Sequence, residues 1–456
     1  MAEAVRADDA REPGPGRREP DPRWHPVLRV LFRFAFVFVG IGMAATYLAP
    51  VLLVAIRVPR ESVAVVAKWL ALHPLTDWVG REFFGVRVDY RETGSGDTAA
   101  HWISVFTWLL VAIVVTVVWS GIDRRRAYPR LYAWFRLLLR ATLIAGFLLY
   151  GMIKILPSQM SFNLERLVEP FGDMSPMAVL WAQSGLSQPY EMALGAAEVT
   201  AALLLILPFT AGLGAVLTFI VAMQVFLLNL TFDVPVKLFS GQLFLYAAIL
   251  AAPDILRIVR TLLGHAVPAR TREPLLTSAR GLRILLIAQV IFGLLMVYDT
   301  IDQGYDAWHT WGSARPHSPL YGIWNVTEYA VDGTELPPLV DFDTATPDNA
   351  AIGRQRFRRI LFDTPDVVTA QRMNDSLLSI PAHIDTTAHT IRLSGDLAQH
   401  WTIATLNYEQ PQPDRLTLTG QLAGRPVHMQ LDRVDLDTYP VVSRGFHWVQ
   451  AVPYLR

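Results

Sequence analysis

The chain has 456 residues, no cysteine and a formal net charge of zero. The lack of cysteine excludes disulfides, thiolate-held metal ions and iron–sulfur clusters, and the zero net charge gives no reason to expect a nucleic-acid partner. Hydrophobic residues make up 52% of the chain and charged residues only 18%. Because this composition is too apolar for a soluble protein of this length, it predicts a polytopic membrane protein.

Seven apolar runs are long enough to cross a bilayer. Two of them belong to the region 23–133, where the segment 59–100 between them is typical of an amphipathic interfacial helix followed by a loop. The next four form the region 134–263, and a basic loop with the last run forms 264–302. The predicted spans are about 27–56, 102–122, 134–156, 190–207, 211–230, 234–252 and 282–301.

Arginines cluster in two of the loops between the predicted spans. One cluster follows the second span and the other lies between the sixth and seventh spans. Four spans separate the two clusters, and this even number places them on the same side of the membrane. Since basic loops stay cytoplasmic, we expect the N-terminus inside a bacterial plasma membrane and the C-terminal region outside it. Residues 1–22 are too polar to form a core and are expected to be disordered. The basic residues are Arg124, Arg125 and Arg126, then Arg257, Arg260, Arg270, Arg272 and Arg280.

A change of pattern marks a second domain after the last span. Following a linker at 303–319, the region 320–456 alternates apolar and polar residues between turn residues, which predicts a small antiparallel β-barrel or sandwich. Gly322 and Trp324 at the first strand, with Arg444 late in the chain, resemble the lipocalin-type barrel, in which an arginine covers the tryptophan. The resemblance implies a barrel of that shape, which the predicted topology places outside the membrane; the alternative is an unrelated small β-domain with an ordinary core tryptophan.

Ionisable residues interrupt the apolar runs between 150 and 237, and such residues are functional-site candidates in membrane spans. Lys154, Glu198 and Lys237 are the candidates for polarising or proton-handling groups. The predicted topology brings them to the outer end of the spans. The full set of candidate ligand-binding residues is Tyr150, Lys154, Glu191, Glu198, Gln224, Asn229, Asp233, Lys237 and Gln242.

Helical spacing places Glu191, Gly195 and Glu198 on one face of the fourth span. The small residue allows another helix to approach, so the acids face the bundle. We expect Glu191 at the water interface, whereas Glu198 lies deeper and must be protonated, paired or in a wet cavity. Asp233 is the expected N-cap of the sixth span, and the partner of Lys237 is Asp233, Glu198 or Glu191.

The histidines give no sign of a metal or haem site. All 11 lie outside the apolar runs, which argues against a haem held within the membrane. Those of the C-terminal region, His383, His389, His400, His428 and His447, lack a metal-ligand spacing. We expect no metal site.

The region from about 140 to 263 resembles the DoxX family of membrane proteins. The resemblance rests on YGMIKILPSQ around Lys154, FGDMSPM at 171–177, the helix with Gly195 and Glu198, and LNLTFDVPVKLFS at 228–240. It implies a four-helix bundle for the third to sixth spans. Some members of the family are linked to quinone-dependent oxidation or act in membrane redox complexes, and many have no assigned activity. This chain departs from the family in its extra spans and outer β-domain and in having no cysteine, which leaves thiol chemistry without support.

Two functions follow from these observations. The first is binding of a quinone or similar lipid-soluble molecule in an outer polar pocket, within a redox system and with a redox partner protein. The alternative is a non-catalytic scaffold whose outer domain binds a lipid or an assembly partner. A transporter ranks last, because we find no internal repeat with broken spans.

Overall fold

The structure is a computed structural model that describes residues 23–91, 93–268, 275–338, 356–395 and 401–455. The predicted N-terminal tail and two arginines of the second basic loop, Arg270 and Arg272, lie outside the described residues. So does His400.

Seven helices are long and apolar enough to cross a membrane, as the sequence predicts. We number all helices in chain order, including four shorter ones, so that the seven long helices are α1, α4, α5, α7, α8, α9 and α10. In chain order the helices are α1 (Pro26–Ala55), α2 (Arg60–Leu70), α3 (His73–Phe84), α4 (Ala99–Ile122), α5 (Pro129–Ile155), α6 (Pro176–Leu186), α7 (Gln188–Ile206), α8 (Ala211–Thr231), α9 (Lys237–Leu262), α10 (Ala279–Thr310) and α11 (Pro440–Ser443).

Helix α5 is the centre of the bundle. In its most apolar stretch 61% of the residues are buried, against 22% to 33% in the other six long helices. It begins five residues before the predicted span, because Pro129 occupies its first turn, and it ends just before Pro157. Arg140 lies on this central helix, where its guanidinium has hydrogen-bond acceptors: it donates to the carbonyls of Leu205 and Ile206, which end α7.

Contacts between helix ends define two sides of the bundle. On the first side Trp24 donates its backbone N–H to Arg126, so the start of α1 meets the loop between α4 and α5. On the second side Arg57 pairs with Asp302 at 2.7 Å, near the end of α10. The chain continues from there into the β-domain, so we call the second side the barrel side. The first eight residues of the predicted linker at 303–319 are helical, since α10 continues to Thr310.

The β-domain is a closed barrel of eight antiparallel strands, which decides between the two predicted architectures. Each strand pairs with the next, and β9 closes the barrel on β1, while β2 is a two-residue extension paired with β1. The strands are β1 (Gly322–Val331), β2 (Thr334–Glu335), β3 (Phe357–Thr364), β4 (Val367–Arg372), β5 (Leu377–Asp385), β6 (Thr390–Ser394), β7 (Thr402–Gln412), β8 (Arg415–Leu422) and β9 (Arg425–Arg433).

Apolar side chains fill the interior of the barrel. Trp324 is buried there and donates its indole N–H to the carbonyl of Leu320 at 3.0 Å. The arginine over its ring is Arg433, at 5.9 Å, whereas Arg444 lies over Tyr454, so the expected role of Arg444 is wrong. Between the described strands the interior leaves a cavity of only about 20 Å³, which is too small for a lipid.

The barrel packs on the loop between α5 and α6. Leu164 of this loop lies in an apolar cluster with Ile323 and Leu361 of the barrel. The Glu165 carboxylate accepts hydrogen bonds from Thr369 at 2.6 Å and Ser379 at 3.1 Å. The loop therefore holds the barrel against one end of the helical bundle.

Candidate functional site

Helices α5 and α7 cross at two glycines. A Cβ atom on Gly195 would lie 2.5 Å from the Gly151 carbonyl oxygen, and a Cβ on Gly151 would lie 3.0 Å from the Gly195 oxygen. Only glycine allows backbones to approach this closely. Each glycine is followed three residues later by an ionisable residue, Lys154 on α5 and Glu198 on α7, so the crossing brings these two side chains together.

Lys154 and Glu198 form a buried ion pair. The ammonium Nζ lies 2.9 Å from Oε1 and 3.0 Å from Oε2 of Glu198, and it also donates to the Tyr150 carbonyl at 3.1 Å. The two side chains are 7% and 4% exposed. The carboxylate is paired, which is one of the three states expected for Glu198. Its two oxygens keep lone pairs that can accept further hydrogen bonds.

The pair lies in the wall of a cavity of about 410 Å³ between α5, α6, α7, α8 and α9. The other wall residues are mostly apolar or aromatic, with a few amides and hydroxyls among them. Of the predicted ligand-binding residues, Tyr150, Lys154, Glu198, Gln224 and Asn229 line this cavity. The wall residues that sequence reasoning missed include Gln159, Met160, Trp181, Gln183, Ser184, Tyr190, Phe232 and Phe239.

Glu191 is buried, so the expectation that it lies at the water interface is wrong. It is 1% exposed, because the loop after α5 folds over the start of α7. Its Oε1 accepts the backbone N–H of Met160 at 3.1 Å. Met160 itself lines the cavity. Glu191 therefore holds a segment of the cavity wall in place and does not itself line the cavity.

Lys237 lies outside this cavity and has its own acidic partners. Its Nζ is 2.8 Å from Asp233 and 3.4 Å from Asp97. Asp97 also accepts the backbone N–H groups of Lys237 and Leu238, both at 2.9 Å, which makes it the group that caps α9. The expectation that Asp233 is the N-cap is therefore wrong. Asp97 was missed because it comes from a loop about 140 residues earlier in the chain.

Gln242 lines a second cavity of about 310 Å³ between α1, α4, α5 and α9. Tyr150, Val236 and Phe239 line both cavities, so these three residues separate them. Eight of the nine predicted site residues thus fall into three groups: the cavity with the ion pair, the capped start of α9, and the second cavity. The ninth, Glu191, lies behind the wall of the first cavity.

The described part of the chain offers no cluster of three or more His, Asp or Glu side chains that could hold a metal ion. Its C-terminal histidines make other contacts: His389, for example, packs edge-on against Tyr408. The polar groups in the wall of the first cavity include the Lys154 ammonium, the Glu198 carboxylate, and several amides and hydroxyls.

The fold and the site define a class: a helical membrane protein with a buried ion pair in a cavity wall and a closed β-barrel at one end. The chain is 30% identical over 144 residues to the uncharacterized protein YwoB of Bacillus subtilis (strain 168), and the match covers 30% of this chain and 84% of that protein. The chain therefore belongs to the family of YwoB. No family profile matches the chain, and no solved structure matches it.

Proposed function

We propose that the chain binds a quinone or a similar lipid-soluble molecule in the cavity lined by Lys154 and Glu198. The single observation that carries this proposal is a buried ion pair in the wall of a largely apolar cavity of about 410 Å³. Cavities of this size lined by apolar and aromatic groups with a few polar ones are typical small-molecule sites. A charged pair within a span is costly unless it serves a function or a specific packing need.

The polar groups of the wall complement the two ends of a quinone. Three acceptors already surround the Lys154 ammonium, which has three N–H donors. The carbonyl of an oxidised quinone would instead accept from the side-chain amide of Gln224 or Asn229. The hydroxyl of the reduced form would donate to Glu198. The ion pair would then sense the reduction state of the ligand, which suits a membrane redox system with a partner protein.

The DoxX resemblance and the topology add to the same proposal. The four helices α5, α7, α8 and α9 surround the cavity, and they form the part of the chain with that resemblance. Arg124, Arg125 and Arg126 follow α4 on the side opposite the barrel, and Arg257 and Arg260 close α9 on that side. With these arginines in the cytoplasm, the cavity and the barrel face the outside of a bacterial plasma membrane.

Quinone content tests the proposal directly. The full chain, purified in detergent from bacterial membranes, is extracted with solvent, and bound quinone is counted per protein molecule. We expect the Glu198→Gln and Lys154→Met variants to lose most of it. Lys237→Met is the matched control, because that lysine is also ion-paired but does not line the cavity. Equal quinone content and affinity in all four proteins would refute the proposal.

A further inference from the structure

Part of the wall of the second cavity comes from the N-terminal helices α1 and α4, which lie outside the region of DoxX resemblance, and most of the rest comes from α5 and α9. Its volume is about 310 Å³, close to the lower limit for a small-molecule site. Phe38, Gly42, Thr46 and Tyr47 of α1 face it from one side. Trp108 of α4 faces it from another side, and its indole packs against α1 at Gly42.

The stretch of α1 that lines the second cavity is not a regular α-helix. Residues Phe36–Ile41 and Ala44–Leu48 are π-helical. The amide of Gly42 donates to the carbonyl of Val37, five residues earlier, and the amide of Ala49 donates to Ala44 in the same way. Such wide turns are rare and occur frequently at functional sites.

Two hydrogen-bonding groups in this wall have no partner among the residues that the structure describes. The indole Nε1 of Trp108 and the hydroxyl of Tyr47 are both buried there. Trp108 as a whole is 9% exposed. A polar group that is buried without a partner loses the hydrogen bond that it makes with water in the unfolded chain, so a ligand in the adjoining cavity that supplied a partner would gain affinity from each of the two groups. An indole N–H is only a donor, so the partner of Trp108 must be an acceptor.

We propose that the second cavity binds one apolar molecule through a carbonyl oxygen, which accepts hydrogen bonds from the Trp108 indole and the Tyr47 hydroxyl. The apolar and aromatic walls take the body of the ligand. The carbonyl has two lone pairs and can accept from both donors at once. Quinones and glycerolipid esters share this chemistry. The site is separate from the one lined by Lys154 and Glu198, so it stands or falls independently of the proposed function.

Native mass spectrometry of the full chain in detergent counts the bound molecules. The probes are a benzoquinone with a ten-carbon tail, a short-chain diacylglycerol, and decylbenzene, which has no carbonyl. We expect one of the two carbonyl probes to occupy the second cavity and decylbenzene to bind more weakly. A stronger quinone signal assigns the site to quinones, and a stronger ester signal assigns it to lipids. Equal binding of decylbenzene would refute the role of the carbonyl.

The variants Tyr47→Phe and Trp108→Phe remove one donor each and keep an aromatic ring. We expect each to weaken binding at this cavity roughly fivefold, and the pair about thirtyfold, as the loss of one or two neutral hydrogen bonds requires. Lys154→Met should leave this binding unchanged. Unchanged affinity in the double variant would refute the proposal.

Thermal unfolding without ligand separates binding from a structural role. Removing an unpaired hydroxyl or N–H costs no hydrogen bond, so Tyr47→Phe should unfold at the same temperature as the parent chain or higher. Trp119→Phe is the matched control, because its indole donates to Asp123 at 3.0 Å outside the cavity. We expect that control to lower stability and to leave ligand binding unchanged. The opposite pattern would overturn the proposal.

Discussion

Replacing Lys154 with methionine separates the two halves of the buried ion pair. Methionine keeps most of the aliphatic packing of lysine but removes the ammonium, so the Glu198 carboxylate loses its donor at 2.9 Å. The two side chains are 7% and 4% exposed, which leaves little water to replace that donor. Removing one member of a buried pair costs about 3–5 kcal/mol, and we expect a loss of this size in the free energy of unfolding.

We expect the Glu198→Gln variant to lower the free energy of unfolding by less, about 1–3 kcal/mol. Glutamine has the shape of glutamate, and its carbonyl oxygen can still accept from the lysine Nζ. In the double variant no unpaired charge remains, so its cost should be smaller than the sum of the two single costs by roughly 2 kcal/mol.

Unfolding by sodium dodecyl sulfate in mixed micelles, followed by circular dichroism, gives the three free energies. Lys237→Met is the control, because its side chain is 28% exposed and water can replace its contacts. If the loss of unfolding free energy in the double variant equals the sum of the two single losses within about 0.5 kcal/mol, the inference that Lys154 and Glu198 act as one unit is refuted. A cost below about 1 kcal/mol for Lys154→Met would also refute it.

Three further predictions concern other parts of the fold. Gly195→Ala should destabilise the bundle by about 1–3 kcal/mol, because the new Cβ meets backbone atoms, whereas Gly121→Ala, with nothing within 4 Å, should be neutral or stabilising in the same unfolding assay. Glu165→Ala should raise hydrogen exchange in β4 and β5, whose hydroxyls lose their acceptor; unchanged exchange would argue against this docking contact. Burial lowers the pKa of His73, which stacks on Tyr90. The stabilisation from neutral His73 is therefore present above its unfolded pKa of about 6.5 and lost as the pH falls through the lower folded value. Exchange around α3, corrected for its intrinsic pH dependence, should rise in acid in the parent chain and stay constant in His73→Phe.

The seven spans and the barrel were predictable because both depend on local patterns. A run of about 20 apolar residues specifies a membrane helix by length alone, and alternation with turn residues specifies antiparallel strands. Closure of the barrel was not predictable in this way. It depends on pairing between β1 and β9, which are about 100 residues apart in the chain.

The partner of Glu198 could not be chosen from the sequence, because Lys154 and Lys237 lie at the same end of the bundle. The contact between Gly151 and Gly195 decides it, since it brings α5 and α7 closer than any larger residue would allow. A signal was present: each helix carries a glycine three residues before its charged residue. Lys237 is paired partly with Asp97. No pattern in the sequence indicates that the loop carrying Asp97 lies at the start of α9.

The loop between α5 and α6 links the barrel to the first cavity. Met160 lines that cavity and donates its backbone N–H to Glu191, while a few residues later Leu164 and Glu165 pack against the barrel. A displacement of the barrel would therefore act on the same short segment that forms part of the cavity wall. The Glu191 carboxylate accepts the backbone N–H of Met160 in this loop. The loop therefore explains why Glu191 is buried, without any contact to a ligand. The barrel thus contacts the loop that supplies part of the cavity wall, whereas the space between its described strands is too small to hold a lipid itself.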